Sequence, residues 1–391
     1  MDFNLSLYLR LISHSLFKSR KSICPLTSSR LGFLVGTVMA GFPLLYLNHR
    51  ISWWLDHLFF PGFRSQKVEA PLFIVAPHRS GTTLLLNTLL HDPQFTTTDA
   101  WEVFFAPSLL ERKVVRSLFR FDREHLGGRL HRRVMAWEAH RAQLPHVQDF
   151  LRVHPFSFTQ PEEDQFLLLK FSTYDLLAFF PFPELLAPYR DYSRRVPEKR
   201  RKKDMAFYQD MVQRHVYAHG GKRYLSKQPS LSSTIPDLVK IFPDARFIHL
   251  VRHPADVVPS SMTLWRGHWR MYGCQQPSQD LADAVIEHNR IWYLRLWDDL
   301  AQLPAEQYIR IRYEDLKNDL HHTIEQVYQH FGMPLAPEFR AYLQQATPEV
   351  RAYKSNNHYD LSSLGITMQE FARRFADVAQ RYAFTFPETE G

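Results

Sequence analysis

The stretch PLFIVAPHRSGTTLLLNTLL, residues 71–90, constrains this chain more than any other. A short apolar run, Leu72 to Ala76, stops at a small, polar, glycine-containing turn, and a second apolar run begins at once. The first run is too short for a helix and reads as a buried strand. The second opens on Gly81, Thr82 and Thr83 and reads as a helix. Such a junction leaves the first helical N–H groups unpaired and adds the positive end of the helix dipole. Gly81 admits close approach of an oxyanion, Ser80, Thr82 and Thr83 offer hydroxyls, and Arg79 adds a fixed charge with a fork of donors. This is an anion-binding loop. It is not a Walker loop, because the characteristic lysine is missing and Ala76 stands where the first glycine belongs. A nucleoside triphosphatase is disfavoured.

Further along, RFIHLV (246–251) and YIRIRY (308–313) are strand-like, each followed closely by a helical pattern. Residues 162–180, 280–300 and 316–331 read as helices. Strands alternating with helices predict an α/β fold with a central parallel sheet flanked by helices on both faces. In FPDARFIHLVRHPADVVPSSM (242–262), Arg252 leaves the end of a buried strand, Pro254 opens a helix, and Ser260 follows eight residues after the arginine. Ligands of open α/β sheets bind outside the carboxyl ends of the strands. Arg252 and Ser260 therefore form a second anion pocket beside the first loop. Two such pockets suit a nucleotide phosphorylated at two positions.

These segments resemble the sulfotransferases that use 3'-phosphoadenosine 5'-phosphosulfate (PAPS), in the bacterial or carbohydrate-type branch. PHRSGTTLL is similar to their 5'-phosphosulfate loop, with Arg79 where many members carry Lys, and LVRHPADVVPSS to their 3'-phosphate motif. YLSKQPSLSSTIPDLVKIFPDARFIHLVRHP, IRYEDLKND and RAYKSNNHYDLSSLG give supporting matches, so the resemblance runs over about residues 68–365. It implies PAPS as donor, 3',5'-adenosine bisphosphate as product, and a hydroxyl or amine acceptor. Arg79, Ser80, Gly81, Thr82, Thr83, Arg252, Ser260, Tyr313 and Lys354 would hold the cofactor, with Arg351 an alternative to Lys354.

Sulfuryl transfer, like phosphoryl transfer, needs charge neutralisation and a proton acceptor more than covalent chemistry. Arg79 is placed on the leaving oxygens, and Lys227 of SKQPS on the transferring group or the acceptor. Many members carry a histidine two residues after that lysine; here the position is Pro229. The general base is instead sought in TTTDAWEVFF, with Glu102 preferred and Asp99 as the alternative. Glu162, Glu163 and Asp164 are read as the negative start of a helix, and His321 and His322 as surface residues. No metal is expected.

Residues 1–67 differ from the rest. Lys18, Arg20, Lys21 and Arg30 precede the uncharged run Leu31–Leu47, which is about the length of a short membrane span, and ISWWLDHLFFPGF suits a membrane interface. The division expected is a membrane-associating segment at 1–67 and a transferase domain at 68–391, with the cytoplasmic face slightly favoured. Spanning and lying on the membrane both remain open. The net charge of +8 fits an anionic cofactor or membrane; no nucleic-acid partner is expected. The basic cluster at 190–204 reads as a solvated face. Two cysteines, Cys24 and Cys274, suggest neither a disulfide framework nor a zinc site. A P-loop small-molecule kinase and a non-enzymatic membrane adaptor are the competing classes, and the acceptor, a lipid, glycolipid or carbohydrate, is not legible.

Overall fold

The computed structural model describes residues 3–18, 24–274, 278–353 and 360–387. Five strands, β1 (Leu72–Val75), β2 (Phe95–Thr96), β3 (Arg223–Lys227), β4 (Arg246–Val251) and β5 (Tyr308–Arg312), form one sheet in the order β2-β3-β1-β4-β5. Every pairing is parallel. In the register Ile74 lies opposite both Lys227 and Ile248, so β3, β1 and β4 end at one edge. Both faces of the central β1 are covered, which is why it reads as an unbroken apolar run. Leu72 and Ile74 pack with Leu85, Leu86 and Ile248 on one face, while Phe73 and Val75 pack with Tyr208, Phe247 and Leu296 on the other.

The helices used below are α1 (Leu5–Ser13), α2 (Ser28–Phe59), α3 (Thr82–Leu89), α4 (Ala100–Phe104), α5 (Leu109–His125), α6 (Arg129–Ala142), α7 (Phe166–Phe171), α8 (Glu198–Ala218), α9 (Pro254–Met271), α10 (Gln279–Leu300), α11 (Tyr313–Asn318) and α12 (Leu320–His330). The expected 316–331 helix is divided at Asp319, whose side chain accepts from the His322 N–H and starts α12 afresh. The expected 162–180 helix is likewise broken. Past α7, the Thr173 hydroxyl accepts from the Asp175 N–H and caps a separate 3-10 turn, Tyr174–Ala178. Glu162, Glu163 and Asp164 precede α7 in irregular chain, where the Gln165 N–H donates to the Glu163 carbonyl, so they do not begin a helix.

Two other readings change. The 190–204 cluster is not simply a solvated face: Arg194 pairs with Asp299, Arg200 with Asp204, and Arg201 with Asp237. Cys24 and Cys274 are joined as a disulfide. It ties the chain before α2 to the end of α9, beside buried Arg30, which donates to the Phe179 and Tyr272 carbonyls.

The 32 residues of α2 reach about 48 Å, long and apolar enough to cross a bilayer. They lie lengthwise on the body instead of standing away from it. Leu34 and Val38 share a core with Leu7, Leu11, Leu177 and Trp269. His49 meets Glu111 at 2.6 Å, and Asp56 accepts from the Leu109 and Leu110 N–H groups while pairing with buried Arg214 at 2.8 Å. The opposite side, Leu31, Val35, Leu44, Leu47, Ile51 and Trp54, is exposed.

Candidate active site

Each strand ends by delivering a residue singled out in the sequence. Past β1 the chain makes the 76–81 loop, with Arg79 at φ +71° and Gly81 at φ +92°. A left-handed arginine costs roughly 1–2 kcal/mol, so the surroundings must impose it. They do: Arg79 Nε donates to Ser260 Oγ at 3.0 Å, and its carbonyl accepts from Arg252 at 3.2 Å. The two anion pockets of the sequence are thus one connected surface. Tyr313, just past β5, closes it, with the Arg252 guanidinium 4.5 Å from its ring centre. A Cβ on Gly81 would stand 2.4 Å from that ring. Glycine is required here for both its φ and its missing side chain.

No side chain caps α3, which leaves its first N–H groups facing the loop. The Thr82 and Thr83 hydroxyls lie at this start. Ser80 differs from expectation: it is fully buried, and its hydroxyl donates inward to the Pro77 carbonyl at 2.8 Å, shaping the loop. Lys354 lies outside the described residues. Arg351 donates to the Asn318 carbonyl at 2.7 Å.

Lys227, at the end of β3, is buried and meets Thr83 Oγ1 at 3.4 Å, which joins it to the loop. Its second contact was not foreseen: Glu163 Oε1 stands 3.1 Å from Nζ. Burial alone would lower the Lys227 pKa, but Glu163 and Glu162 outweigh it and hold the ammonium charged. Behind this pair runs a buried polar chain. Gln165 bridges Glu163 (3.0 Å) and Asp175 (2.8 Å), and Asp175 holds His78 Nε2 at 3.1 Å. Burial opposes a charge on His78, yet Asp175 raises its pKa. The PEEDQ stretch is therefore part of the site. Its signal in the sequence was three successive carboxylates before an apolar run, which equally describes a helix start. Asp164 is buried and accepts from Tyr208, Tyr224 and Ser226, a structural position.

Asp99 and Glu102, past β2, have opposite electrostatics. Glu102 is 1 % exposed and sits between Arg112 (3.8 Å), Arg116 (3.0 Å) and His215 (3.5 Å). Burial pushes its pKa up, but the Arg112 charge and His215 hold it well below the usual carboxylate range. Asp99 is half-buried, and desolvation together with the Glu102 charge pushes it up to about 6. Its backbone pairs with Pro161, and the Thr98 carbonyl accepts from the Glu162 N–H at 3.0 Å, which sets this strand end beside Glu163. Glu102, His215 and His219 also gather as a possible metal-ligand group, His215 standing in the last turn of α8 and His219 just past its end. The carboxylate there is already matched by two guanidiniums.

A parallel sheet whose strand ends present an anion loop, an Arg–Ser pair and a buried lysine defines a nucleotide-dependent group transferase of the P-loop type. Residues 71–337 match the sulfotransferase family model, and the chain belongs to that family. It is a sulfotransferase. It is 27% identical over 330 residues (81% of this chain, 76% of the relative) to the omega-hydroxy-beta-dihydromenaquinone-9 sulfotransferases Stf3 of Mycobacterium bovis and Mycobacterium tuberculosis. Its fold is similar to sulfotransferase STF9 from Mycobacterium avium, with a TM-score of 0.70 and 16% identity, covering 99% of this chain and 98% of that one. Sulfotransferase STF1 from Mycobacterium tuberculosis gives 0.66 and 19%, covering 96% and 92%.

Proposed function

We propose that this sulfotransferase takes its sulfuryl group from PAPS and passes it to the hydroxyl of a membrane-borne lipid. The observation that carries the donor is the single linked surface of Arg79, Ser260, Arg252 and Tyr313 around an uncapped helix start. It joins two guanidiniums, a serine hydroxyl, an uncapped helix start and an aromatic ring on one strand edge, which fits a nucleotide with a 5' and a 3' phosphate. The lipid acceptor is argued from two things: the relatives named for a hydroxylated menaquinone, and the apolar outer side of α2.

When bound, PAPS supplies an activated sulfuryl group on a phosphate leaving group. Arg79 and the first N–H groups of α3 neutralise charge on the leaving oxygens, and Lys227 does so on the transferring ones. Thr82 and Thr83 orient the 5' end, Arg252 and Ser260 the 3' end; Lys354 or Arg351 would contact the same 3' phosphate from the carboxy-terminal loop. Glu163 takes the acceptor's proton, because it is the carboxylate in direct contact with Lys227. Asp99 is the second reading of the base, favoured by a pKa of about 6, near that of an effective general base. Glu102, preferred from sequence, is read as the anchor of a buried ion-pair cluster.

In this reading 1–67 serves as the membrane-associating segment and 68–391 as the transferase. Disulfides persist mainly in oxidising compartments, so the Cys24–Cys274 pair speaks against the cytoplasmic face favoured by the basic flank; thiol trapping in intact cells tests this, and a reduced pair would restore the cytoplasmic face. For the donor the test is thermal shift. Stabilisation by 3',5'-adenosine bisphosphate and none by ATP with magnesium is expected, and the reverse result rejects the assignment. Radiolabelled sulfate from PAPS should enter the lipid fraction of a native extract; label confined to carbohydrate or protein would reject the lipid acceptor.

A further inference from the structure

Helix α6 presents a physical problem. Its 14 residues include none that is buried, yet Leu130, Met135 and Trp137 project outward from it. Isolated helices of about this length are marginal in water, so a helix that buries nothing lacks its main stabiliser. What holds it is mostly polar or at its edges: buried Asp122 accepts from the Leu130 and His131 N–H groups, the Phe119 and His131 rings and the Trp137 and Phe158 rings meet, and the Glu138 carboxylate accepts from the Phe158 N–H. Its partner α5 repeats the pattern. Val114, Leu118 and Phe121 follow at i, i+4 and i+7, forming one apolar stripe, and all three are about half exposed.

Charge identifies what covers this face. From Lys113 to Arg141 the hairpin exposes eight lysine or arginine side chains and a single fully exposed carboxylate, Glu124. An apolar stripe bordered by cations matches an anionic lipid interface. A second copy of this chain fits poorly, since a two-fold pairing would set the same cationic hairpin against itself. The face also continues an existing apolar surface. The first turns of α5 lie on α2, through Glu111 to His49 and Lys113 over the Phe60 ring, and α2 carries its own exposed stripe. The same end of the hairpin borders the segment that carries Asp99: Arg116 pairs with Glu102 three residues further on, and exposed Phe105 packs on Phe158, which stacks on Trp137.

We propose that α5 and α6 form a bilayer-docking hairpin. With the outer side of α2 it seats the enzyme on an anionic membrane as a monotopic protein, and it brings the acceptor side of the site to the lipid surface. This rests on the membrane-proximal acceptor reading above and adds the element that does the docking. A helix pinned lengthwise, with His49, Asp56 and Arg30 committed to the body, is held along the interface rather than across it.

The test is vesicle flotation of the full chain on phosphatidylcholine, with and without phosphatidylglycerol. The combined variant Arg120→Glu, Arg123→Glu, Arg133→Glu should bind anionic vesicles at least about a hundredfold more weakly, at roughly fivefold per lost cation. Binding to neutral vesicles should be unaltered. The variant Leu118→Ser, Phe121→Ser, Trp137→Ser should lose binding to both. In each, the thermal shift by 3',5'-adenosine bisphosphate should be retained, which separates a docking defect from a damaged donor site. Should the apolar variant fail to fold, an environment-sensitive fluorophore on Leu118→Cys replaces it, and its emission should shift to the blue on anionic vesicles. Unaltered flotation of the charge variant, or an unshifted fluorophore on bound protein, overturns the hairpin while leaving association through α2 standing. No vesicle binding by the unmodified chain overturns both. A dimer in solution that these substitutions dissociate would assign the face to a second copy and overturn the proposal.

Discussion

The proposed donor side and the proposed acceptor side of this site are built differently. On the donor side, the residues from Arg79 to Thr83, Arg252, Ser260 and Tyr313 stand within a few positions of a strand end or along the helix it feeds. Their chemistry follows from local sequence once the strands lie parallel. On the acceptor side, Lys227, Glu163, Asp99 and Glu102 come from three separate segments. What each does depends on which cation or carboxylate the fold sets beside it. Donor recognition is thus written in short stretches, and proton handling in long-range contacts.

The largest expected effect probes where the two sides meet. Lys227→Ala and Arg79→Ala should each lower turnover by about 10²–10³-fold, since both are proposed to face charge that develops during transfer. In the Lys227 variant, binding of the bisphosphate should persist, as judged by calorimetry. Equal loss of binding and turnover would place Lys227 on the donor side instead.

Next, Glu163→Gln and Asp99→Asn compete directly. Removing a general base costs about 10²–10⁴-fold, and steady-state rates will show which substitution does so. The pH profile sharpens the choice. Asp99, raised to about 6 by burial and by Glu102, is protonated below that pH and ionised above it. If it is the base, activity rises with pH through about 6, and Asp99→Asn abolishes this limb. A limb that survives the substitution leaves the role to Glu163.

On the donor side, Gly81→Ala should abolish detectable bisphosphate binding while preserving the fold, because the new methyl meets the Tyr313 ring. Tyr313→Ala in the same chain should restore part of it. No restoration would mean that φ alone makes the glycine necessary.

The smallest effect on turnover is expected at Glu102. Glu102→Gln leaves Arg112 buried without its charge partner, which costs about 3–5 kcal/mol of stability. Folded protein should retain most of its rate, measured beside a denaturant titration. The sign follows from the depressed pKa: this stabilisation is present above the unfolded carboxylate value and is lost as pH falls through the lower folded one.

Sequence legibility divides along the same line. β1 and β4 could be read because double-sided burial makes largely apolar runs, and edge strand β5 because Tyr308, Ile309 and Ile311 supply aromatic and β-branched residues at short spacing. β3 was missed because RYLSK carries Arg223, Ser226 and Lys227 and becomes a strand only through pairing with β1 and β2. Lys227 itself could be read only through the family likeness. Glu163 escaped because carboxylates before an apolar run look the same whether they cap a helix or face a lysine. The pairing of Cys24 with Cys274, 250 residues apart, left no local signal at all.

The sequence alone determined that a strand hands an anion to a helix start at Arg79–Thr83 and again near Arg252, because both features are local properties of strand ends. It also determined that α2 is apolar. Only the tertiary structure decided that α2 lies along the body, that Glu102 is held ionised by guanidiniums while Asp99 is raised to about 6, and that Glu163 meets Lys227. Those outcomes depend on burial and on charges brought from distant segments, and a carboxylate's pKa is set by such neighbours and not by its place in the chain.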